Sequence, residues 1–118
     1  MSLSLTLPWP PKELTPNFKR RNHWSRYAKP TKRYRTTCWA LAREARIDLT
    51  GMDAVPLSIT FHPPDRRKRD DDGCIGAFKA GRDGIAEAFG VDDNAFRPSY
   101  HMAEPVKGGA IIVTVDLR

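Results

Sequence analysis

The sequence predicts an α+β fold: a mixed β-sheet with two main helices on one side, a two-layer sandwich in the order β-α-β-α-β-β. Three observations predict it. The segments "LSLTLPW", "VPLSITFH" and "GAIIVTVDL" alternate apolar and polar residues with the period of a half-buried strand. Two further segments repeat apolar residues at helical spacing. The helical segments fall between strands, so strands and helices interleave along the chain. A length of 118 residues suits one domain, 1–118, rather than two.

The first strand places Leu3, Leu5 and Leu7 on one face, and Pro8, Pro10 and Pro11 end it. From Lys12 to Lys29 the chain is polar, basic and aromatic without a clear period, which reads as a long functional loop. Pro30 opens the first main helix, with Tyr34, Cys38, Leu41 and Ala45 on its apolar stripe, Trp39 and Ala42 flanking it, and Gly51 as terminator. The second strand carries Leu57, Ile59 and Phe61 on one face and stops at Pro63-Pro64. The second main helix is "CIGAFKAGRDGIAEAFG". Its face is Ile75, Phe78, Ile85 and Phe89, and Gly90 is its C-cap. Gly76, Gly81 and Gly84 each cost that helix about 1 kcal/mol relative to Ala, which points to close packing against another element. "FRPSYHMAEPV" is a weaker strand. The last strand, with Ile111, Val113 and Val115 on one face, follows a Lys107-Gly108-Gly109 turn.

Composition excludes several classes. No apolar run approaches the roughly 18 residues of a transmembrane helix. The N-terminus has neither a basic n-region nor a small-residue cleavage site, so a secretory signal is not expected. Cys38 and Cys74 fit no CxxC or zinc pattern and read as buried thiols in a reducing compartment, hence a cytoplasmic protein. The net charge is +6, unevenly spread: Lys12 to Arg35 holds nine Lys/Arg and one acid, Glu13, a surplus of +8, leaving −2 for the rest. A basic stripe beside an acidic cluster suggests a polyanionic partner and a cation site.

The acidic cluster is in "PPDRRKRDDDG", where four basic residues, Arg66 to Arg69, abut Asp70, Asp71 and Asp72. If the segment is extended, Asp70 and Asp72 point the same way. A second pair, Asp92 and Asp93, follows the second main helix, where the chain can return toward the helix start. Converging carboxylates repel one another, and a hard divalent cation relieves that repulsion. Mg²⁺ takes oxygen ligands and keeps several waters, so two or three aspartates are enough. A salt-bridge cluster with the adjacent arginines is the alternative. The basic run favours the metal reading, because Arg66, Arg67, Lys68 and Arg69 can hold phosphates beside the cation, an arrangement suited to phosphodiester chemistry.

"LPWPP", "PDRRKRDDD", "FKAGRDGI", "VDDN" and "KGG" occur in this order across nearly the whole chain. The pattern resembles the RusA family of Holliday junction resolvases, common in prophages. The resemblance implies a small α+β homodimer that cuts four-way DNA junctions with Mg²⁺, for which Mn²⁺ can substitute. It implies Asp70, Asp72 and Asp93 as metal-holding catalytic acids, with Arg69 and Lys79 assisting catalysis; Asp92, adjacent in sequence, is the runner-up to Asp93. The chain departs from the pattern at two places: Gly73 stands where Asn is common, and Lys79 lies seven residues beyond Asp72 instead of four. The glycines at 73 and 76 lead to the expectation that an irregular loop before the helix absorbs the difference.

"KRRNHW" puts basic residues beside His23 and Trp24. Lys19, Arg20, Arg21, Arg26, Lys32 and Arg33, with Arg66, Arg67 and Lys68, are the expected DNA contacts. Trp24 either stacks on a base or packs on the core. Trp9 and Phe18 are expected in core or dimer contacts, and His23, His62 and His101 in structural or exposed positions. Lys79 and Asp83, four apart on the helix, are expected to pair. The leading expectation is a resolvase making paired symmetric nicks in recombination and repair. A junction-binding protein without catalysis and a nuclease for other branched DNA are the alternatives.

Overall fold

A computed structural model describes residues 2–117. Four strands form one mixed sheet: β1 (Ser2–Leu7), β2 (Val55–His62), β3 (Phe96–Met102) and β4 (Ala110–Asp116), in the order β1-β4-β2-β3. β4 pairs antiparallel with both β1 and β2, and β3 pairs parallel with β2 at the edge. The helices are α1 (Pro16–Arg21), α2 (Ala28–Glu44), α3 (Asp71–Ala77) and α4 (Lys79–Phe89). The expected β-α-β-α-β-β order holds, with each helical connection split in two.

Strand alternation decides which face is covered. Leu5, Val113 and Ile59 align in register and are buried, as do Leu7, Ile111 and Phe61 in the next row. They join α2 and α4 residues such as Cys38, Ile85 and Phe89 in one core. The opposite row, Ser4, Thr114, Ser58 and Ser99, is polar, with the Ser4 and Thr114 hydroxyls 3.1 Å apart. One sheet face is therefore apolar and packed, and the other is polar and more open.

α2 and α4 approach closely because α4 carries glycines at the contact. A β-carbon at Gly84 would collide with the Arg35 carbonyl oxygen, and one at Gly81 would stand 2.8 Å from the Tyr34 ring. The close-packing expectation holds at both positions. Tyr34 ties α2 to the end of β1 by donating its hydroxyl to the Pro8 carbonyl at 2.7 Å. Gly90 caps α4 in the left-handed region at φ 81°.

Three expectations need correction. The segment from Lys12 to Lys29 is not a featureless loop: Thr15 caps α1 by accepting from the Phe18 amide, and Pro16 occupies its first turn. α2 ends at Glu44 rather than Gly51, because Arg46 turns left-handed at φ 58° and Ile47 and Leu49 then enter the core. The second main helix is two helices, and the irregular loop expected at Gly73 and Gly76 is instead α3, so the break falls at Phe78. Phe78 is buried edge-on against Phe61, and its amide bonds to both Cys74 and Ile75 carbonyls, which ends α3 and starts α4.

Candidate active site

β2 stops at His62, and Pro63-Pro64 turn the chain into the charged segment. That segment, the start of α3 and the face of α1 enclose a cavity of about 700 Å³. Lys12, Asn17 and Arg20 line one side, Arg67, Lys68 and Arg69 another, and Asp70 and Asp72 also face it, with Trp9 and Cys74 among the lining residues. Cations and acids therefore share one concavity.

The loop is braced by a residue that the sequence reading passed over. Asp65 accepts from the Arg67 amide at 3.0 Å and from Arg69 Nη1 at 2.8 Å. The same Nη1 donates to the Asp65 and Arg67 carbonyls at 3.3 and 3.1 Å, and the guanidinium lies 5.9 Å from the Trp9 ring centroid. The Arg69 side chain is only 16% exposed, against 77% for Arg67. Arg69 thus shapes the loop, and Arg67 and Lys68 carry its available charge. The Arg69 hydrogen bond, followed by the Arg67 amide, holds the Asp65 carboxyl below its usual range. The signal was local: an Asp directly after Pro-Pro commonly bonds to the amide two residues on.

Only Asp70 keeps an extended backbone, and Asp71 and Asp72 are helical, which corrects the strand-like reading of the run. Asp70 is the N-cap of α3, accepting from the Gly73 amide at 2.9 Å, and Asp71 and Asp72 form its first turn. Acids there oppose the helix dipole favourably, which explains why α3 forms across Gly73 and Gly76. Asp71 accepts from the Asp72 amide at 3.1 Å. The Asp72 carboxylate makes no hydrogen bond or ion pair among the described residues and faces the cavity with Asp70.

The expected return toward Asp70 and Asp72 at the start of the second main helix is not what the chain makes: it brings Asp93 to Lys79, at the start of α4. Asp93 Oδ2 lies 4.0 Å from Lys79 Nζ, and Asp83 Oδ1 lies 3.8 Å from it. Asp92 caps the short turn before β3 by accepting from the Asn94 amide. Arg82 fixes this turn: it donates to the Asp93 carbonyl at 3.2 Å and to the Tyr100 hydroxyl at 3.1 Å, and its guanidinium stands 5.8 Å from the Phe96 ring. Among the described residues no three His, Cys, Asp or Glu side chains gather into a metal-binding group. Asp70 and Asp72 share the cavity, and Asp93 is not among its lining residues.

The other cations fall into separate places. Lys32 and Arg33, with Lys29, line a shallower cavity of about 330 Å³ on α2. Arg21, Arg26 and Arg66 are exposed, and Lys19 lies 5.4 Å from the Tyr27 ring centroid. Trp24 is 63% exposed, which overturns the core reading for it. Trp9 packs edge-on against Phe61, as expected. His62 bonds the Glu104 carbonyl at 2.9 Å, and His23 and His101 are exposed. Both cysteines are free and buried, and burial pushes the Cys38 thiol up to about 11.

No helix among the described residues is long and apolar enough to cross a membrane. No protein-family model matches the chain. The chain is similar to a protein of Xylella fastidiosa (strain Temecula1 / ATCC 700964) named "Uncharacterized protein". The two are 40% identical over 116 residues, which covers 95% of this chain and 74% of that protein. The chain belongs to the same family as that protein.

Proposed function

We propose that this member of the Xylella protein's family is a Mg²⁺-dependent endodeoxyribonuclease of RusA type, acting on four-way DNA junctions. One observation carries the reading: two carboxylates and five cationic side chains line a single cavity. Phosphodiester hydrolysis needs both signs of charge within one phosphate's reach. Two carboxylates fit Mg²⁺, because that ion is commonly held by one or two of them together with substrate phosphate oxygens and water.

Asp70 and Asp72 would hold the cation, and Mn²⁺ could replace it. When bound, it would neutralise phosphate oxygens and supply an activated water. Lys12, Arg20, Arg67 and Lys68 bind and orient the phosphates. Arg69 sets the loop from which Arg67 and Lys68 reach the cavity. Asp93 and Lys79 form a second charged pair beyond the Phe78 break and complete the resemblance's set of catalytic positions. Lys19, Arg21, Arg26, Lys32, Arg33 and Arg66 extend the contact along the arms. A junction is cut at two strands related by symmetry, so a C2 homodimer with two identical sites suits the substrate. The setting we propose for this work is the cytoplasm, in recombination and repair, which two free buried thiols support.

The test is cleavage of an immobile four-way junction with Mg²⁺, with linear duplex and Asp72→Asn as controls. Paired symmetric nicks confined to the junction and lost in Asp72→Asn, with binding retained, are expected. Asp72→Asn cutting at the wild-type rate would remove the site. Tight junction binding without nicks would replace the enzyme with a binding protein. Equal cutting of flaps and forks would widen the substrate to branched DNA generally.

A further inference from the structure

Trp24 is the most exposed large apolar side chain among the described residues, at 63%. It is held out by an ordered turn. His23 Nδ1 accepts from the Ser25 amide at 3.3 Å, the Arg26 amide bonds the His23 carbonyl at 2.9 Å, and the Tyr27 amide bonds the Trp24 carbonyl at 3.1 Å. The His23 ring lies 5.5 Å from the indole, tilted by 37°, and is itself exposed. An indole fixed in water by its own backbone leaves a large stacking surface unused.

Its surroundings say what can cover it. Lys19, Arg20 and Arg21 precede it and Arg26 and Lys29 follow, and no acid occurs between Glu13 and Glu44. A second copy of this turn would bring like charges together, which disfavours self-association through it. The turn directly follows α1, whose Arg20 faces the cavity with Asp70 and Asp72. Four residues of chain reach at most roughly 14 Å, which is about four base steps of DNA. A phosphate backbone entering the cavity therefore passes within reach of the indole. In duplex DNA the base faces are already stacked, so the indole can stack only on a base that has left its pair.

We propose that Trp24 is a stacking site for an unpaired base of single-stranded or strand-separated DNA, with Lys19, Arg21 and Arg26 taking the adjacent phosphates. This rests on the nucleic-acid reading above, and it makes open bases, rather than duplex alone, part of the substrate.

The test measures binding of full-length wild type, Trp24→Ala and Trp24→Phe to three labelled probes in chelator. The probes are a single strand of thymidylates, an abasic strand of equal length, and a duplex. Trp24→Ala should lose roughly tenfold on the thymidylate strand, as expected for one lost base–aromatic stack. It should match wild type on the abasic strand and the duplex, and Trp24→Phe should keep most of the affinity. Equal losses on all three probes, or no loss on any, would overturn the stacking site and leave DNA binding standing. A wild type that binds no probe would overturn the inference and leave the junction reading to the cleavage test above. A change in sedimentation mass with Trp24→Ala would also overturn the proposal, by making Trp24 a subunit contact. So would Trp24-dependent capture by phosphatidylserine vesicles without strand binding.

Discussion

Between α2 and α4 the chain deletes side chains to bring backbones together, and between Pro63 and Asp72 it crowds charged side chains onto an exposed turn. Gly84 lies against the Arg35 carbonyl, and the ion pair that also spans the two helices, Arg35 to Glu87 at 3.4 Å, is about half exposed and adds little to that contact. The turn, in contrast, is shaped by Asp65, Arg69 and the Asp70 cap. The first region is fixed mainly by exclusion of volume, which neither salt nor pH relaxes, with one exposed ion pair beside it. The second is fixed by charge-assisted hydrogen bonds in water, which both relax. The contrast separates residues that make the fold from residues that make the site, and it can be pressed from each side.

The largest effect belongs to the helix contact. Gly84→Ala puts a methyl group into a backbone carbonyl that cannot rotate away, so α4 must shift. Overpacking of this kind costs about 1–3 kcal/mol, a fall of several degrees in the thermal midpoint for a domain of this size. Calorimetry of the variant checks it. Junction affinity of the folded fraction should be unchanged, because the cavity lies on α1, α3 and the loop. An unchanged midpoint would show that α2 and α4 are not in fixed contact.

Asp65→Asn presses the other side. It weakens the brace on Arg69, so cleavage should fall while the thermal midpoint barely moves. The pH dependence has a definite sign. The carboxyl is held below its usual range in the folded chain by Arg69 and the Arg67 amide. The brace is therefore complete above the ordinary carboxylate value and is lost as pH falls through the depressed one. An NMR titration of the Arg69 side-chain resonances should show this acid transition in the wild type and not in Asp65→Asn. A transition that persists in the variant would assign the loop's shape to another group.

The same contrast governs what could be read from the sequence. The strands were legible because alternation such as Leu57, Ile59 and Phe61 is decided locally by one buried face. The glycine-mediated packing of α4 was legible because Gly81 and Gly84 weaken a helix without another local reason. The carboxylate cluster was only half legible. Its position beside cations was plain, but three aspartates also begin a helix well, and the Gly73 amide's bond to the Asp70 carboxylate starts a helix that takes Asp71 and Asp72 out of the extended geometry assumed for them. α1 hid its start in Thr15-Pro16 because the basic residues around it have no apolar stripe. That the chain turns back along the helix after Gly90 could be expected from its order, but the expected meeting of Asp93 with Asp70 and Asp72 was not what formed. Which side chain would meet it there depends on Arg82, Tyr100 and Phe96, which come together only in the fold.

Lys79 gives the smallest expected change, and it separates two accounts of the Asp93 turn. Its ammonium faces two carboxylates at 3.8 and 4.0 Å, yet its side chain is 69% exposed. Exposed pairs of this kind contribute at most about 1 kcal/mol and are screened by salt. Arg82 instead holds the turn through the Asp93 carbonyl, under partial cover and against the Phe96 ring. Lys79→Met should therefore shift stability by no more than roughly 0.5 kcal/mol, and high salt should erase the difference between variant and wild type. Denaturant unfolding at low and high salt measures both. A loss well above that, persisting in salt, would mean that the ion pair and not Arg82 places Asp93. The turn would then belong with the charged, relaxable part of the molecule instead of with its packed part.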